Sequence, residues 1–588
     1  MGALALDAAD LRVVQKSLEI TDLDFGYRYG SFRSVDRFLG QLSDTHVGLI
    51  TWPGGSLSEK DPGRYGFDFD GLFNPALNKP GLAEMFTIAR EEGVGLSVVL
   101  PTARYDGNDA ALRTDVREFM GKVLSGHYGT PPTHLQFEVG NEWYCVFGNG
   151  IADAQAYGHV ADIYVDEISS ALNDPSVNRI GADISIAVQS GRTMAEDAAV
   201  RSEFQDDHLA EVDLVTHHRF AFTAVGVDKS VDEVGRILDA WEADARDVGG
   251  DRPALFLGAY NVGSLTREEA LDDYIKAETA DGHAITLGDI DLDGRSDTDF
   301  ERFWQAALDK RDYGAEHPRL LLENFAEYGG EGMGAAATYG SDTEHSGRLS
   351  TQDTYGNAQH FVGQDMLDML GESTVGTRVL SISLGNDRSD SVWTYAFEND
   401  DKLVVFLSAD KAPPGKMTVS LEGLGTTYKA VYGDSLASQV PTDWMERFGV
   451  PDNPAVDETN EGKGYAIGVR EAATPVITET GVTVDLDKPY EVIRLSFAKS
   501  DAGLHEIEGY TEDHGVELAG SETVHGFTFE AADDPDHLAT AAMMSDLPSV
   551  QPDDQPDLQE ESADHADSGS DFGAGGFLLA LLPFLFLL

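Results

Sequence analysis

The sequence predicts an α/β protein: a (β/α)8 TIM barrel, followed by an all-β sandwich domain and a disordered acidic tail. Three observations support this. Between residues 46 and 340, short apolar or β-branched runs alternate with longer amphipathic stretches, which is typical of strand–helix units around a parallel sheet. From about residue 376, short alternating strands separated by turn residues replace the helical pattern. Beyond residue 500, Asp, Glu, Ser, Gly and Pro dominate.

Eight segments fit the strands of the barrel. They are LDFGYRYG (23–30), HVGLITWPGG (46–55), VGLSVVLPT (94–102), THLQFEVGNE (133–142), RIGADISIAVQ (179–189), VDLVTHHRF (212–220), PALFLGAYN (253–261) and GMGAAATYG (332–340). Stretches between them, such as residues 79–93 and 230–249, have apolar side chains at three- and four-residue spacing. This spacing predicts helices packed outside the barrel.

We place the barrel at residues 15–372, the sandwich at 373–499, an acidic low-complexity linker or tail at 500–576 and a short apolar segment at 577–588. The last segment, FLLALLPFLFLL, is shorter than the roughly 20 residues that cross a bilayer, so we expect no stable membrane span. A weak membrane contact, a sorting tail and the cut edge of a longer chain are the alternatives for it.

Composition restricts the partners of the protein. The chain has 104 acidic against 41 basic residues and a formal net charge of -63, which argues against nucleic acid because phosphates would be repelled. With 41% hydrophobic residues, this charge suggests a folded, halophile-type protein. Cys145 is the single cysteine, so no internal disulfide forms. The N-terminus lacks a secretory signal, and we expect an extracellular protein exported by a non-classical route.

The fourth predicted strand ends in an Asn-Glu pair. Strand alternation places Glu138, Gly140 and Glu142 on one side, facing the barrel axis. Polar residues at the C-terminal ends of barrel strands are candidates for catalysis, which makes Glu142 the leading candidate. The alternative is a buried carboxylate that is satisfied by an arginine or by the backbone.

The segment FEVGNEW resembles the fourth-strand signature of clan A glycoside hydrolases, retaining (β/α)8-barrel enzymes of arabinofuranosidase, xylosidase and heparanase type. TWPGGSLSE (51–59) is similar to a second-strand element of some of them, and YEVIRLSF (490–497) looks like the end of their sandwich domain. The resemblance covers roughly residues 15–499. It implies a poly- or oligosaccharide substrate, hydrolysis of O-glycosidic bonds and no catalytic cofactor.

The resemblance also implies residue roles. Glu142 would be the general acid/base, and Asn141 would bind the sugar hydroxyl beside the reacting carbon. On the sixth strand, a histidine would steady the nucleophile; we choose His218, while a structural histidine is the alternative. Trp143 and Tyr144 are expected to enclose Glu142 and thereby raise its pKa. The alternative is that these two aromatic residues belong to the core. The residues expected to contact substrate are Trp52, Ser56, Glu138, Trp143, Tyr144, His217, Tyr260 and Asn261.

The seventh strand departs from the family pattern. A retaining enzyme needs a second carboxylate, about 5 to 5.5 Å from the first, as nucleophile. The resemblance leads us to expect Glu followed by Tyr-Asn, whereas LFLGAYNVG has Ala259 in that place. No Asp or Glu occurs in residues 253–266, so a small shift of alignment supplies none.

Four explanations stay open. Hydrolysis has been lost and sugar binding kept; another carboxylate is recruited; Glu323 or Glu327 supplies the acid; or the enzyme inverts through a more distant base. The segment RLLLENFAEYGG (319–330), which contains both glutamates, is better interpreted as a helix entering the eighth strand. A glycosidase using Glu142 is the leading hypothesis, a non-catalytic carbohydrate-binding protein the second and a surface or structural protein the third.

A separate acidic motif, DIDLDGRSDTDFE (289–301), follows the seventh strand. Alternate acidic oxygens around a glycine turn suit calcium, which takes six to eight oxygen ligands. Phe300 stands where a calcium loop ends in Glu, and chance clustering in so acidic a chain is the alternative. The sequence predicts a structural calcium held by Asp289, Asp291, Asp293, Asp297 and Glu301.

Overall fold

The computed structural model of the chain describes most residues up to 514. The described ranges are 2–5, 12–32, 35–54, 57–60, 80–221, 224–263, 267–283, 285–286, 290, 298–311, 314–340, 347–381, 392–420, 428, 430–449, 462–473, 475–478 and 481–514. The predicted disordered stretch and the apolar segment 577–588 lie outside them. In the described part, no helix has the length and apolar character needed to cross a bilayer.

Two short strands, β1 (Gly2–Ala5) and β2 (Arg12–Val13), precede a closed barrel of eight parallel strands. Neighbouring barrel strands are hydrogen-bonded in chain order, and the eighth closes onto the first through Thr338 and Tyr27. The barrel strands are β3 (Gly26–Arg28), β4 (Leu49–Trp52), β5 (Gly95–Leu100), β6 (Leu135–Val139), β7 (Ser185–Gln189), β8 (Leu214–Ala221), β9 (Ala254–Val262) and β10 (Met333–Thr338). All eight predicted strands are present, so the predicted barrel is confirmed.

Helices connect the barrel strands. They are α1 (Val35–Asp44), α2 (Leu57–Lys60), α3 (Leu82–Glu92), α4 (Asp109–Leu124), α5 (Trp143–Val146), α6 (Ile151–Asn173), α7 (Met194–Arg201), α8 (Asp206–Leu209), α9 (Ala224–Asp247), α10 (Arg267–Ala280), α11 (Asp299–Arg311) and α12 (His317–Gly330). Short 3-10 helices span Asp22–Asp24, Tyr29–Ser31, Ala103–Tyr105 and Lys463–Tyr465. Helix α13 (Val362–Thr374) follows the barrel, after a hairpin of β11 (Ser350–Gln352) and β12 (Ala358–His360).

Strand alternation explains how the barrel is filled. Side chains from five barrel strands, including Leu49, Ala187 and Phe256, pack together in one buried cluster, as is possible only inside the closed sheet. Ala335 and Ala337 of β10 belong to this interior cluster, whereas Ala336 between them packs with the outer core under the helices. The period of two residues thus separates the interior from the helix-facing layer.

The sandwich has a four-stranded sheet and a seven-stranded sheet. Its strands are β13 (Arg378–Ser381), β14 (Val392–Glu398), β15 (Lys402–Ala409), β16 (Gly415–Ser420), β17 (Ala430–Gln439), β18 (Ile467–Ala472), β19 (Val476–Thr478), β20 (Gly481–Leu486) and β21 (Val492–Ala498), with a short helix α14 (Trp444–Phe448). The sheet orders are β1-β16-β20-β19 and β18-β17-β21-β15-β14-β13-β2. The predicted sandwich is therefore confirmed.

Two features of this domain differ from the sequence analysis. The N-terminal strands β1 and β2 pair with β16 and β13, so residues before the predicted barrel boundary belong to the sandwich sheets. Residues Asp501–His514, which we assigned to the acidic tail, form helix α15, and its Ile507 is buried against Tyr432 and Ala498. Strands β1 and β2 are short and pair with strands more than 360 residues away, so local patterns do not identify them.

Candidate functional site

The chain turns sharply after β6 and presents Glu142 at the C-terminal face of the barrel. Gly140 has a φ of 81° and Glu142 a φ of 47°, both in the left-handed region that is uncommon for a residue with a Cβ. A Cβ on Gly140 would lie 3.0 Å from the Thr102 side chain, so the close approach to the end of β5 also favours glycine. The Glu142 side chain keeps 23% of its surface exposed, which makes its carboxylate reachable from solvent.

Beneath Glu142 lies a buried ion pair between Arg28, the last residue of β3, and Glu138 of β6. Their side chains are 1% and 0% exposed, and Arg28 Nη1 lies 3.3 Å from both carboxylate oxygens. Arg28 Nη2 donates to Asn141 Oδ1 at 2.8 Å, and Nη1 donates to the Gly258 carbonyl. These contacts satisfy Glu138 inside the barrel, where an unpaired carboxylate would be costly.

His218 of β8 joins the two carboxylates. Its Nδ1 lies 3.2 Å from Glu142 Oε1, its Nε2 lies 3.5 Å from Glu138 Oε1, and its side chain is 1% exposed. Burial by itself would lower the pKa of His218, but the hydrogen bonds to Glu138 and Glu142 outweigh it and raise that pKa. We call Arg28, Glu138, Asn141, Glu142 and His218 the Glu142 group.

The pKa of Glu142 is shifted downwards. Burial by itself would raise it, but the hydrogen bond and charge of His218, the charge of Arg28 and a contact with Cys145 outweigh burial. The Cys145 Sγ lies 3.8 Å from Glu142 Oε2. The lowered pKa makes Glu142 an ionised carboxylate near neutral pH, and the raised pKa of His218 favours the imidazolium form of its partner.

The lowered pKa of Glu142 contradicts our expectation that its aromatic neighbours would raise it. Trp143 is fully buried: its indole donates to the Ser190 carbonyl at 3.0 Å, and its ring stacks on Tyr157 with centroids 5.9 Å apart. Tyr144 is 7% exposed, and the Arg192 guanidinium lies 4.7 Å from its ring centre. Trp143 thus belongs to the core and is not positioned to contact substrate.

The neighbouring histidine has a different environment. His217 is partly buried, with its Nδ1 3.2 Å from the Ser190 hydroxyl. Burial, with the nearby charges of Arg219 and His218, lowers the pKa of His217 to about 3. His217 is therefore neutral near neutral pH, whereas His218 is the histidine that contacts Glu142.

The seventh barrel strand contributes no acidic side chain. β9 contains neither Asp nor Glu, and Ala259, which is 3% exposed, pairs with His218 of β8. A Cβ on the preceding Gly258 would lie 3.0 Å from His218 Nε2 and 2.7 Å from the Thr216 side chain. The imidazole therefore lies directly beside the strand from which a nucleophile was expected.

Helix α12 contains Glu323 and Glu327, the two glutamates considered as alternative acids. The segment is helical as predicted and packs against α9 and α13 on the outside of the barrel. Glu323 is 2% exposed within this layer, and Glu327 lies on the same helix.

Four further residues that we expected to contact substrate are buried. Trp52, Glu138, Tyr260 and Asn261 are at most 1% exposed, so a ligand could touch them only after rearrangement. Asn141, 2% exposed with its carbonyl oxygen bound by Arg28, is likewise occupied by protein. Ser56 lies outside the described residues.

The expected calcium ligands fall largely outside the described ranges. Asp289, Asp291, Asp293 and Asp297 are not described. Glu301 lies in the first turn of α11, is 1% exposed, and its backbone N–H donates to the Thr298 hydroxyl at 3.2 Å. Among the residues that the structure does describe, no three His, Cys, Asp or Glu side chains form a metal-binding group.

Arg28 and Gly258, and the contact of Cys145 with Glu142, were not predicted from the sequence. Arg28 ends a barrel strand just as Glu142 follows one, so the rule that selected Glu142 could have selected it. Cys145 lies three residues after Glu142, one turn along the short helix α5. The role of Gly258 depends on the space that His218 fills, which no local pattern reveals.

The fold has counterparts among solved structures. No family model and no curated protein matches the sequence. A family 51 alpha-L-arabinofuranosidase from Bifidobacterium longum is similar with a TM-score of 0.56 and 12% identity, covering 84% of this chain and 98% of that one. The GH51 arabinofuranosidase from Xanthomonas axonopodis pv. citri has a TM-score of 0.52 and 13% identity, covering 84% and 100%. The clan A glycoside-hydrolase-like fold implied by the sequence resemblance is therefore confirmed, and at these identities the likeness concerns the fold alone.

Proposed function

We propose that the protein binds carbohydrate at the C-terminal face of the barrel around Glu142, and that hydrolysis by double displacement has been lost. The observation that carries the proposal is the ion pair between His218 and Glu142 beside a seventh strand without a carboxylate. A retaining glycosidase needs one protonated acid and one nucleophilic carboxylate. Glu138, the other carboxylate beside His218, is enclosed and paired with Arg28, so it cannot attack a sugar carbon.

An ionised Glu142 suits binding. A carboxylate accepts hydrogen bonds at both oxygens, and sugar hydroxyls are donors. His218 contacts Oε1 and Cys145 contacts Oε2, and each oxygen has a second lone pair that a ligand could use where the side chain is exposed. The solved structures that share the fold are named as arabinofuranosidases, which supports a saccharide as the ligand class.

A hydrolase that uses Glu142 as acid/base is the second candidate. The partial exposure of Glu142 and its place at the end of the fourth barrel strand favour it. A bound sugar would exclude water from the carboxylate and raise its pKa, as acid catalysis requires. Attack on the sugar would then come from water or from an external anion rather than from a protein nucleophile.

The deciding experiment incubates the purified chain with a panel of plant and algal glycans in high salt, and measures both binding and released sugar. Glu142→Gln is the test variant, and Glu118→Gln on the exposed face of α4 is the control. Binding without product that is weakened only by Glu142→Gln supports the proposal. Product from the wild type but not from Glu142→Gln favours the hydrolase. Equal binding by all three proteins contradicts a role for Glu142.

Two further properties are proposed from the sequence. We propose that segment 289–301 holds a structural calcium, because alternate acidic residues around Gly294 suit an oxygen-ligand loop. We also propose an extracellular, halophile-type protein, because a net charge of -63 is strongly self-repelling unless salt screens it. Unfolding midpoints that rise with sodium chloride but not with sucrose would support salt adaptation, and equal midpoints would oppose it.

A further inference from the structure

Arg192 and Glu142 follow neighbouring strands of the barrel. Glu142 comes after β6 and Arg192 after β7, and these two strands are hydrogen-bonded to each other. Both residues therefore lie at the C-terminal face, where a (β/α)8 protein carries its functional site. Arg192 keeps 33% of its side-chain surface exposed, compared with 23% for Glu142. A partly exposed cation thus lies one strand along from the partly exposed carboxylate.

The loop that carries Arg192 is held against helix α7. The Arg192 backbone N–H donates to Glu196 Oε2 at 3.0 Å, and its Nη2 donates to Glu196 Oε1 at 2.8 Å. A Cβ on Gly191 would lie 2.2 Å from the Asp197 backbone nitrogen, so only glycine allows the loop to approach the helix this closely. Glu196 therefore fixes both the backbone of Arg192 and one of its two terminal nitrogens.

The Arg192 guanidinium lies over the ring of Tyr144, two residues after Glu142. Its central carbon is 4.7 Å from the ring centre, a distance at which a cation is attracted to the aromatic face. Burial and the negative charge of Glu142 raise the pKa of Tyr144, whereas the charge of Arg192 lowers it. Glu142 and Arg192 therefore both lie within electrostatic range of the Tyr144 hydroxyl.

One terminal nitrogen of Arg192 has no partner in the protein. Nη2 donates to Glu196, and Nε is enclosed without an acceptor among the described residues. Nη1 likewise has no acceptor in the described part of the chain but, unlike Nε, it is not enclosed. The fold therefore holds the guanidinium in one place and leaves the hydrogen-bond donors of Nη1 accessible.

We propose that Arg192 donates from Nη1 to a hydroxyl oxygen of a neutral saccharide, which donates to Glu142 through a second hydroxyl. The inference rests on the proposed function and adds a second, specificity-determining contact to it. A hydroxyl accepts from a guanidinium and donates to a carboxylate, so one sugar can match both side chains. An acidic sugar fits less well, because Glu196 already balances the charge of Arg192 and ionised Glu142 repels a second carboxylate.

The test measures calorimetric affinities of the full chain for L-arabinose, D-xylose and D-galacturonic acid, and for monodeoxy derivatives of the neutral sugar that binds more tightly. Arg192→Met keeps the aliphatic stem over Tyr144 and removes the donors. We expect it to bind the neutral sugar about tenfold more weakly. The wild type should show the same loss for the one derivative that lacks the hydroxyl bound by Arg192. Arg192→Met should lose nothing further with that derivative, because both partners of the contact are then absent.

Two further variants separate this contact from a change in packing. Arg192→Lys keeps a cationic donor and should recover part of the affinity. Arg246→Met is the matched control, because Arg246 also pairs with a glutamate four residues away, Glu242. It lies at the end of α9 that leads into the start of β9, and therefore at the opposite face of the barrel. Its affinity for each sugar should equal that of the wild type.

The other outcomes overturn the inference. Equal affinities of Arg192→Met and the wild type do so, and the proposed function still stands if Glu142→Gln weakens binding. An equal loss in Arg192→Met for every deoxy derivative would assign the effect to packing. Tighter binding of galacturonic acid than of either neutral sugar would overturn the assignment to a neutral saccharide. Failure of the wild type to bind either neutral sugar also overturns the inference, while the glycan panel with Glu142→Gln decides the proposed function separately.

Discussion

His218 Nδ1 lies 3.2 Å from Glu142 Oε1, and this contact helps to lower the pKa of Glu142 and, together with Glu138, to raise the pKa of His218. In a retaining barrel, a neighbouring nucleophilic carboxylate repels negative charge and helps the acid to keep its proton. Here β9 supplies no such carboxylate, and an imidazole with a raised pKa lies beside it instead. The absence of a carboxylate on β9 is thus linked to the ionised state of Glu142 after β6.

The first prediction concerns His218→Gln. Removing the cation leaves Glu138 and Glu142 less compensated, and we expect the free energy of unfolding to fall by about 3–5 kcal/mol at mildly acidic pH. The raised pKa of His218 stabilises the fold below its ordinary value of 6.5, and this is lost as pH rises through the folded pKa. The lowered pKa of Glu142 stabilises the fold above its ordinary value of 4.5, and this is lost as pH falls.

The loss of unfolding free energy in His218→Gln should therefore be largest between the ordinary pKa values of Glu142 (4.5) and His218 (6.5), and smaller at lower and higher pH. Urea unfolding near pH 3, about pH 5.5 and near pH 9 measures it. His159→Gln is the control, because His159 pairs with Asp109 on the surface at about half exposure and should cost less than about 1 kcal/mol. A deficit that does not vary with pH would show that packing, not charge, explains the loss.

The second prediction compares two glycines. Gly258→Ala places a Cβ 2.7 Å from Thr216 and 3.0 Å from His218 Nε2, so we expect a loss of about 1–3 kcal/mol and weaker glycan binding. Gly121→Ala, in helix α4 with no atom within 4 Å of the new Cβ, should instead stabilise the protein by about 0.5–1 kcal/mol. Chemical unfolding of both variants measures the difference. Equal stability of the two would mean that His218 moves aside at little cost.

The sequence predicted the barrel well because its pattern is local: alternation within strands and three- to four-residue spacing within helices. Glu142 was found because it follows a strand of this kind. The pKa direction was missed because the partner that sets it lies 76 residues away, and Arg28 lies 110 residues from Glu138. Strand β2 is only two residues long and pairs with a strand more than 360 residues later. The spacing of apolar residues along the chain cannot predict such a pairing.

The third prediction concerns the junction between the sandwich and helix α13. Arg494 is 2% exposed, lies 2.8 Å from Asp434 and 3.3 Å from Glu372, and donates to the Met369 carbonyl at 3.1 Å. Arg494→Met would leave the buried carboxylate of Asp434 and the partly exposed one of Glu372 with less compensation, and we expect a loss of about 3–5 kcal/mol near neutral pH.

The pH dependence of this variant follows from the carboxylates. Burial by itself would raise the pKa of Asp434, but Arg494 and Arg470 outweigh it and lower that pKa. Ionised Asp434 therefore stabilises the fold above its ordinary pKa of 3.8, and this stabilisation is lost as pH falls. The loss of unfolding free energy in Arg494→Met should accordingly become smaller near pH 3. Urea unfolding at both pH values measures it, with Arg246→Met on the exposed face of α9 as control. A deficit that is as large in acid would argue against the ion pair.

The last prediction tests calcium in segment 289–301. A metal that binds only the folded chain stabilises it by about 2.7 kcal/mol at 100 times its dissociation constant. Chelation should therefore lower the unfolding midpoint of the wild type, and calcium but not magnesium should restore it, because an oxygen-rich loop suits the larger ion. Replacing Asp291 and Asp293 together with Asn should abolish this response, whereas Asp232→Asn on exposed α9 should keep it. Identical midpoints with and without chelator, together with no calcium retained on dialysis, would assign the acidic cluster to chance in a chain with 104 acidic residues.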